Sequence, residues 1–135
     1  MDVTTCYCYF AMKGNFLPDN ITKTLEINPT KQWFIGDKRN DGRYYDFALW
    51  ETGFTKIVYP EIEMRCVDAI QELLGKENLL AQIKEIYDVS FVLEIVPFIH
   101  DGKKPIIEFG TDVLKFCYLT NTDIDIDFHI YPFEE

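Results

Sequence analysis

The sequence predicts an α+β fold: a mostly antiparallel sheet of five or six strands with three or four helices packed on it. Three observations carry that expectation. Side chains alternate with a two-residue period over 3–13 and 123–131. Apolar residues recur with a 3.6-residue period from Ile62 to Leu74 and again from Leu79 to Tyr87. Between these segments stand turn signals such as Gly14-Asn15, Asp41-Gly42 and Asp101-Gly102.

Val3 to Lys13 reads as the first strand. Cys6, Cys8 and Phe10 point one way and Tyr7, Tyr9 and Ala11 the other, so both sides are apolar and a central strand covered on two faces is expected. Pro18-Asp19-Asn20 opens a short helix, because Pro is tolerated in a first turn and Asp favours the helix dipole there. Ile21 and Leu25 supply its buried stripe, and Asn28-Pro29 is expected to stop it. Lys31 to Thr52 reads as a hairpin, with the strand resuming at Arg43 after the Asp41-Gly42 turn.

Pro60 and Glu61 begin the next helix, Gly75 suits its cap, and the face from Leu79 to Tyr87 adds a second helix, giving an αα-hairpin. Val89 to Ile99 is β-branched and aromatic, hence a strand. After a turn at His100–Pro105, Thr111 is a plausible N-cap for a helix carrying Val113, Phe116 and Cys117. Asp123 to Tyr131 closes the chain as a strand. Residues 5–26 and 91–119 share a strand, glycine and helix order, a weak internal echo.

A length of 135 residues fits one domain, taken as 1–135, able to bury its own core without metal or disulfide. An apolar fraction of 47% argues against disorder. The net charge of −10 argues against nucleic acid and an anionic membrane surface as partners. No basic n-region with an apolar run opens the chain, no apolar run is long enough to span a bilayer, and the four Cys form no paired knuckles. A cytoplasmic, reduced protein is the expectation, with no cofactor and no metal.

The charge is uneven. Residues 1–60 are balanced, whereas residues 106–135 carry seven carboxylates against one lysine. Asp123, Asp125, Asp127 and His129 alternate with Ile124, Ile126 and Phe128, which places an acidic stripe on one strand face. As a calcium loop, Asp123 to Glu134 has Phe128 where the turn needs Gly, so the strand is the better reading. The stripe is either a solvated face or a docking surface for a basic protein. Trp33, Asp37, Arg43 and Trp50 are candidate ligand-binding residues, and the competing reading of both Trp side chains is simple core. Asp37, Asp46, Glu51 and Glu94 are the carboxylates that an enzymatic cleft would draw on. Cys6 and Cys8 read as core thiols.

The order Ile21-Thr22, Leu25, Pro29-Thr30, Trp33, Gly36-Asp37 and Trp50-Glu51-Thr52, closing on Ile124-Asp125-Ile126-Asp127, resembles a bacterial family catalogued as domain of unknown function 4279. The similarity runs from the first strand to Tyr131. It implies a small bacterial α+β domain and carries over no catalytic residue. The same residues have a conformational reading: Pro29 turns the chain, Trp33 seals the first helix onto the sheet, and Gly36-Asp37 forms the turn into the hairpin. The leading expectation is a non-enzymatic protein-binding domain, in analogy an immunity-type inhibitor of a basic toxin. The alternatives are a small-molecule-binding module and an enzyme with a carboxylate site.

Overall fold

A computed structural model describes residues 3–58 and 62–132. Among these residues six strands form one mostly antiparallel sheet: β1 (Thr5–Asn15), β2 (Lys31–Trp33), β3 (Ala48–Val58), β4 (Asp88–Ile99), β5 (Thr122–Ile126) and β6 (His129–Ile130). Four helices accompany them: α1 (Pro18–Leu25), α2 (Ile62–Ala69), α3 (Glu77–Ile86) and α4 (Thr111–Thr120). The sheet order is β2-β3-β1-β4-β5, with β6 also paired to β4. Both β5 and β6 lie parallel to β4 and the other pairings are antiparallel. The crossover through α4 allows the parallel pairing, since a tight hairpin cannot return a strand in the same direction.

The alternation in β1 sets the two faces. Cys6, Cys8, Phe10 and Met12 are buried in one core with Ile21 and Leu25 of α1, Ile62 and Cys66 of α2, Leu80 and Ile83 of α3, and Val113 and Phe116 of α4. Thus all four helices lie on one side. Tyr7 and Tyr9, on the other side, are half-buried, and among the described residues no helix covers them. The expectation of a strand covered on both faces is therefore corrected: one face of the sheet is open.

A β-bulge decides what that face carries. Cys8 pairs with Thr55 but Phe10 pairs with Thr52, so Gly53 and Phe54 together oppose Tyr9. Gly53 takes φ +72°, and a Cβ there would lie 1.7 Å from the Ala69 carbonyl oxygen at the end of α2. Only glycine meets both demands. The extra residue shifts the alternation and turns Phe54 onto the open face, against Tyr7 at a ring distance of 5.4 Å.

Several boundaries differ from the sequence reading. The first helix ends at Leu25, ahead of Asn28-Pro29, because Glu26 takes φ 57° and its N–H donates to the Thr22 carbonyl. The strand expected from Arg43 starts at Ala48. Residues 34–47 instead form a loop in which the Asp37 carboxylate accepts from the Phe34 N–H and the Phe47 carbonyl accepts from the Trp33 indole. The helix expected to run to Gly75 stops at Ala69 and gives way to a 3-10 turn at Gln71–Leu73. Pro60 and Glu61, expected to open it, and Glu134, the far end of the rejected calcium loop, lie outside the described residues. Gly110, not Thr111, occupies the N-cap of α4. The last strand is interrupted at Asp127-Phe128 and divides into β5 and β6.

Candidate functional site

The open face is built from strand alternation. β1 contributes Tyr7 and Tyr9. β3 contributes Glu51, in register with Ala11, and β4 contributes Glu94, in register with Tyr9. β5 adds Asp125, which directly faces Glu94 across a parallel pair. Rings run along the face: Tyr7 lies 5.9 Å from Tyr9 and nearly parallel to it, and 5.6 Å from Phe98. Phe98 in turn stacks on His129 at 4.9 Å.

Beside β2 the face dips into a hollow of about 410 Å³ lined by Tyr7, Tyr9, Thr30, Lys31, Glu51 and Phe54. Glu51 is half-buried, and its carboxylate makes no hydrogen bond or ion pair among the described residues. Burial pushes its carboxyl up, opposed in part by the charges of Lys31 and Lys13. Lys31 itself sits over the Trp33 ring, its ammonium 5.4 Å from the centroid.

Glu94 is the second unusual carboxylate. One of its oxygens is buried without a hydrogen-bond partner. Burial, then the hydrogen bond and charge of Asp125, and then the charge of Asp127 push it up to about 7, against the pull of Lys13. A carboxyl near neutrality beside a carboxylate can hold a proton between the two. Tyr9 lies between Glu51 and Glu94, and burial together with both charges raises its phenol.

The sequence-derived candidates fall into separate places. Asp123, Asp125 and Asp127 are exposed, while Ile124 and Ile126 pack against the core, as strict alternation requires. His129 is exposed and its Nε2 lies 3.3 Å from Asp127. Trp33, Asp37, Arg43 and Trp50 are not brought together. Trp50 is fully buried on the helix side, its indole N–H donating to Thr22 Oγ1 of α1 at 3.1 Å. Trp33 lies on the opposite face, stacked on Tyr45 at 3.9 Å. It is Trp50, then, and not Trp33, that ties the first helix to the sheet. Asp37 closes the loop turn, and Arg43 is exposed with its backbone N–H donating to Asp41. Of the four carboxylates considered for a cleft, Glu51 and Glu94 share the open face, whereas Asp37 and Asp46 belong to the 34–47 loop.

The four thiols are buried, and Cys8 Sγ lies 3.4 Å from Cys66 Sγ. Among the described residues, no group of three or more His, Cys, Asp or Glu side chains is arranged to hold a metal ion. No described helix is long and apolar enough to cross a membrane.

Sequence reasoning missed Tyr7, Tyr9 and Phe54. The phenol hydroxyls were the available signal, since a ring with a polar tip suits a half-wet face better than a sealed core. Phe54 gave no signal, because its direction depends on the bulge.

A family model described as Domain of unknown function (DUF4279) matches residues 4–132. No curated protein matches the chain, and no solved structure does.

Proposed function

The chain belongs to the DUF4279 family, and we propose that it is a non-enzymatic protein-binding domain that offers the open face of its sheet to a basic partner. One observation carries this reading. Two part-buried carboxylates, Glu51 and Glu94, stand among aromatic rings with no cation paired to either among the described residues. Burial raises both carboxyls and the nearby lysines offset it only in part, so a cationic partner that stabilises their ionised forms relieves the penalty that remains. The exposed Asp123, Asp125 and Asp127 extend the same field to the sheet edge, where it steers encounter. Exposed or half-exposed Tyr and Phe are the residue types that anchor interfaces. The finer form of the proposal is an immunity-type inhibitor of a basic toxin, in the cytoplasm.

The test is co-expression with basic products of adjacent genes. The expected result is a stoichiometric complex that weakens with salt, neutralises its partner, and is lost on Asp125→Lys or Glu94→Lys. A complex indifferent to both reversals sinks the open-face reading, and a complex without neutralisation sinks the immunity reading. A second reading, an enzyme that uses a carboxylate as general acid, draws on Glu94 alone, whose raised carboxyl has the required protonation near neutral pH. The hollow described above is lined by Glu51 and not by Glu94, so it does not serve this reading.

A further inference from the structure

The geometry points to the Glu51 hollow as the seat of a single arginine side chain of the partner, its guanidinium packed against the aromatic lining of Tyr7, Tyr9 and Phe54 and hydrogen-bonded to the Glu51 carboxylate. This inference rests on the open-face reading and gives it a chemistry. Three features of the hollow define its occupant. Tyr7 and Tyr9 stack at 5.9 Å, 17° from parallel, and both line the hollow, which gives a flat cation an aromatic surface to pack against. Phe54, tilted 35° to Tyr7, makes a side wall. Glu51 stands in the same hollow with two free acceptor oxygens among the described residues. A planar fork of N–H donors matches a carboxylate bidentately and stacks on rings, whereas a lysine ammonium is a hydrated point charge that does neither well.

The volume of about 410 Å³ lies within the roughly 300–1,000 Å³ range of small-ligand clefts and is ample for one side chain. The one cation lining the hollow, Lys31, stands in register with Glu51 and acts on it by its charge, but its ammonium lies 5.4 Å from the Trp33 centroid and forms no ion pair with Glu51 among the described residues. A second copy of this chain is a poor occupant, because it carries the same net charge of −10.

The probes are acetyl-arginine amide, acetyl-lysine amide and the uncharged isostere acetyl-citrulline amide, titrated into the whole chain and followed by the ring resonances of Tyr7, Tyr9 and Phe54. The arginine derivative is expected to shift those rings saturably and to bind about tenfold tighter than citrulline. Glu51→Gln, which keeps the side-chain size and removes only the charge, is expected to abolish that preference while the other resonances stay in place. Equal binding of lysine or citrulline, an unchanged preference in Glu51→Gln, or shifts confined to Glu94 and Asp125 each overturn the assignment. The inference and the reading beneath it fail separately. A partner complex that survives Glu51→Gln but not Glu94→Lys removes the arginine seat and keeps the open-face interface. Arginine binding in the hollow, alongside protein complexes indifferent to both substitutions, overturns the interface and with it the partner's arginine as occupant.

Discussion

Replacing Glu94 by glutamine separates the electrostatics of the open face from its packing. In the folded chain Glu94 holds its proton up to about pH 7, against an ordinary value of 4.5. Between those two values the native state keeps a proton that the unfolded chain has released. Unfolding therefore releases a proton, and stability falls as pH rises through this window. The stabilising contribution is complete below the unfolded value and gone above the folded one. A rise of this size has a ceiling of about 3 kcal/mol. Glu94 is only half-buried as a residue, which trims the effect to about 1 kcal/mol. With a urea slope of about 2 kcal/mol/M, the wild-type midpoint should fall by about 0.5 M between about pH 5 and pH 8. Trp50 fluorescence reports the transition, because the indole is fully buried in the native core. Glu51, also raised by burial, contributes with the same sign in both proteins, so the difference between wild type and Glu94→Gln isolates Glu94. The variant should show a flatter profile and exceed the wild type at pH 8. A wild-type midpoint that climbs over this range, or a variant that keeps the wild-type slope, refutes the argument.

Gly53→Ala should destabilise the fold by more than about 3 kcal/mol, since it places a Cβ on the Ala69 carbonyl and forces φ +72° on alanine; thermal melting checks this, and a shift of only a few degrees is the contrary result. Thr22→Ala leaves the buried Trp50 indole N–H without its acceptor and should cost about 1–3 kcal/mol in a denaturant titration. All four thiols are buried, so a thiol-specific reagent should react slowly with the native chain and with all four in concentrated guanidinium; rapid native labelling of any one contradicts the packing described.

The sequence disclosed the parts of this fold whose causes are local. The β4 segment is legible from its β-branched and aromatic run, and α1 from Pro18 and the Ile21–Leu25 stripe. The carboxylate stripe on β5 is legible because strict alternation needs only nearest neighbours. What stayed hidden depends on distant chain. No residue of β1 states how many sheet faces the helices will cover, so Tyr7 and Tyr9 looked as enclosed as Cys6 and Cys8. The bulge at Gly53 arises from close approach of the α2 end, some sixteen residues downstream, and it alone turns Phe54 outward. Residues 43–47 alternate as a strand does, yet the Trp33 indole takes the Phe47 carbonyl and holds that stretch in the loop. Trp33 and Trp50 looked like one cluster, but Gln32 is the residue in register with Trp50, so the two indoles point to opposite faces. Glu51 and Glu94 were nameable as carboxylates. Their placement on strands flanking β1 was not.

The division of the molecule into a helix-covered face and an open one has an energetic consequence. The covered face holds the aliphatic and aromatic core and supplies the stability, which leaves the open face free to carry groups that oppose folding. Glu51 and Glu94 are such groups: each is raised by burial, Lys13 and Lys31 offset that only in part, and neither carboxylate forms an ion pair among the described residues. They sit on strands separated by β1, about 10 Å apart at normal strand spacing, so their effects on folding should be nearly additive. The double variant Glu51→Gln and Glu94→Gln should therefore stabilise the isolated chain at pH 8 by close to the sum of the singles. On the proposed reading the same double variant must weaken a basic partner's hold. Residues retained for packing move stability and binding in the same direction when replaced, because both depend on an intact fold. Opposite signs from one pair of substitutions arise only if the carboxylates serve something outside the chain. Denaturation midpoints and partner affinity measured on that double variant decide between the two, and a chain that is both less stable and no worse at binding leaves the open face with a purely structural role.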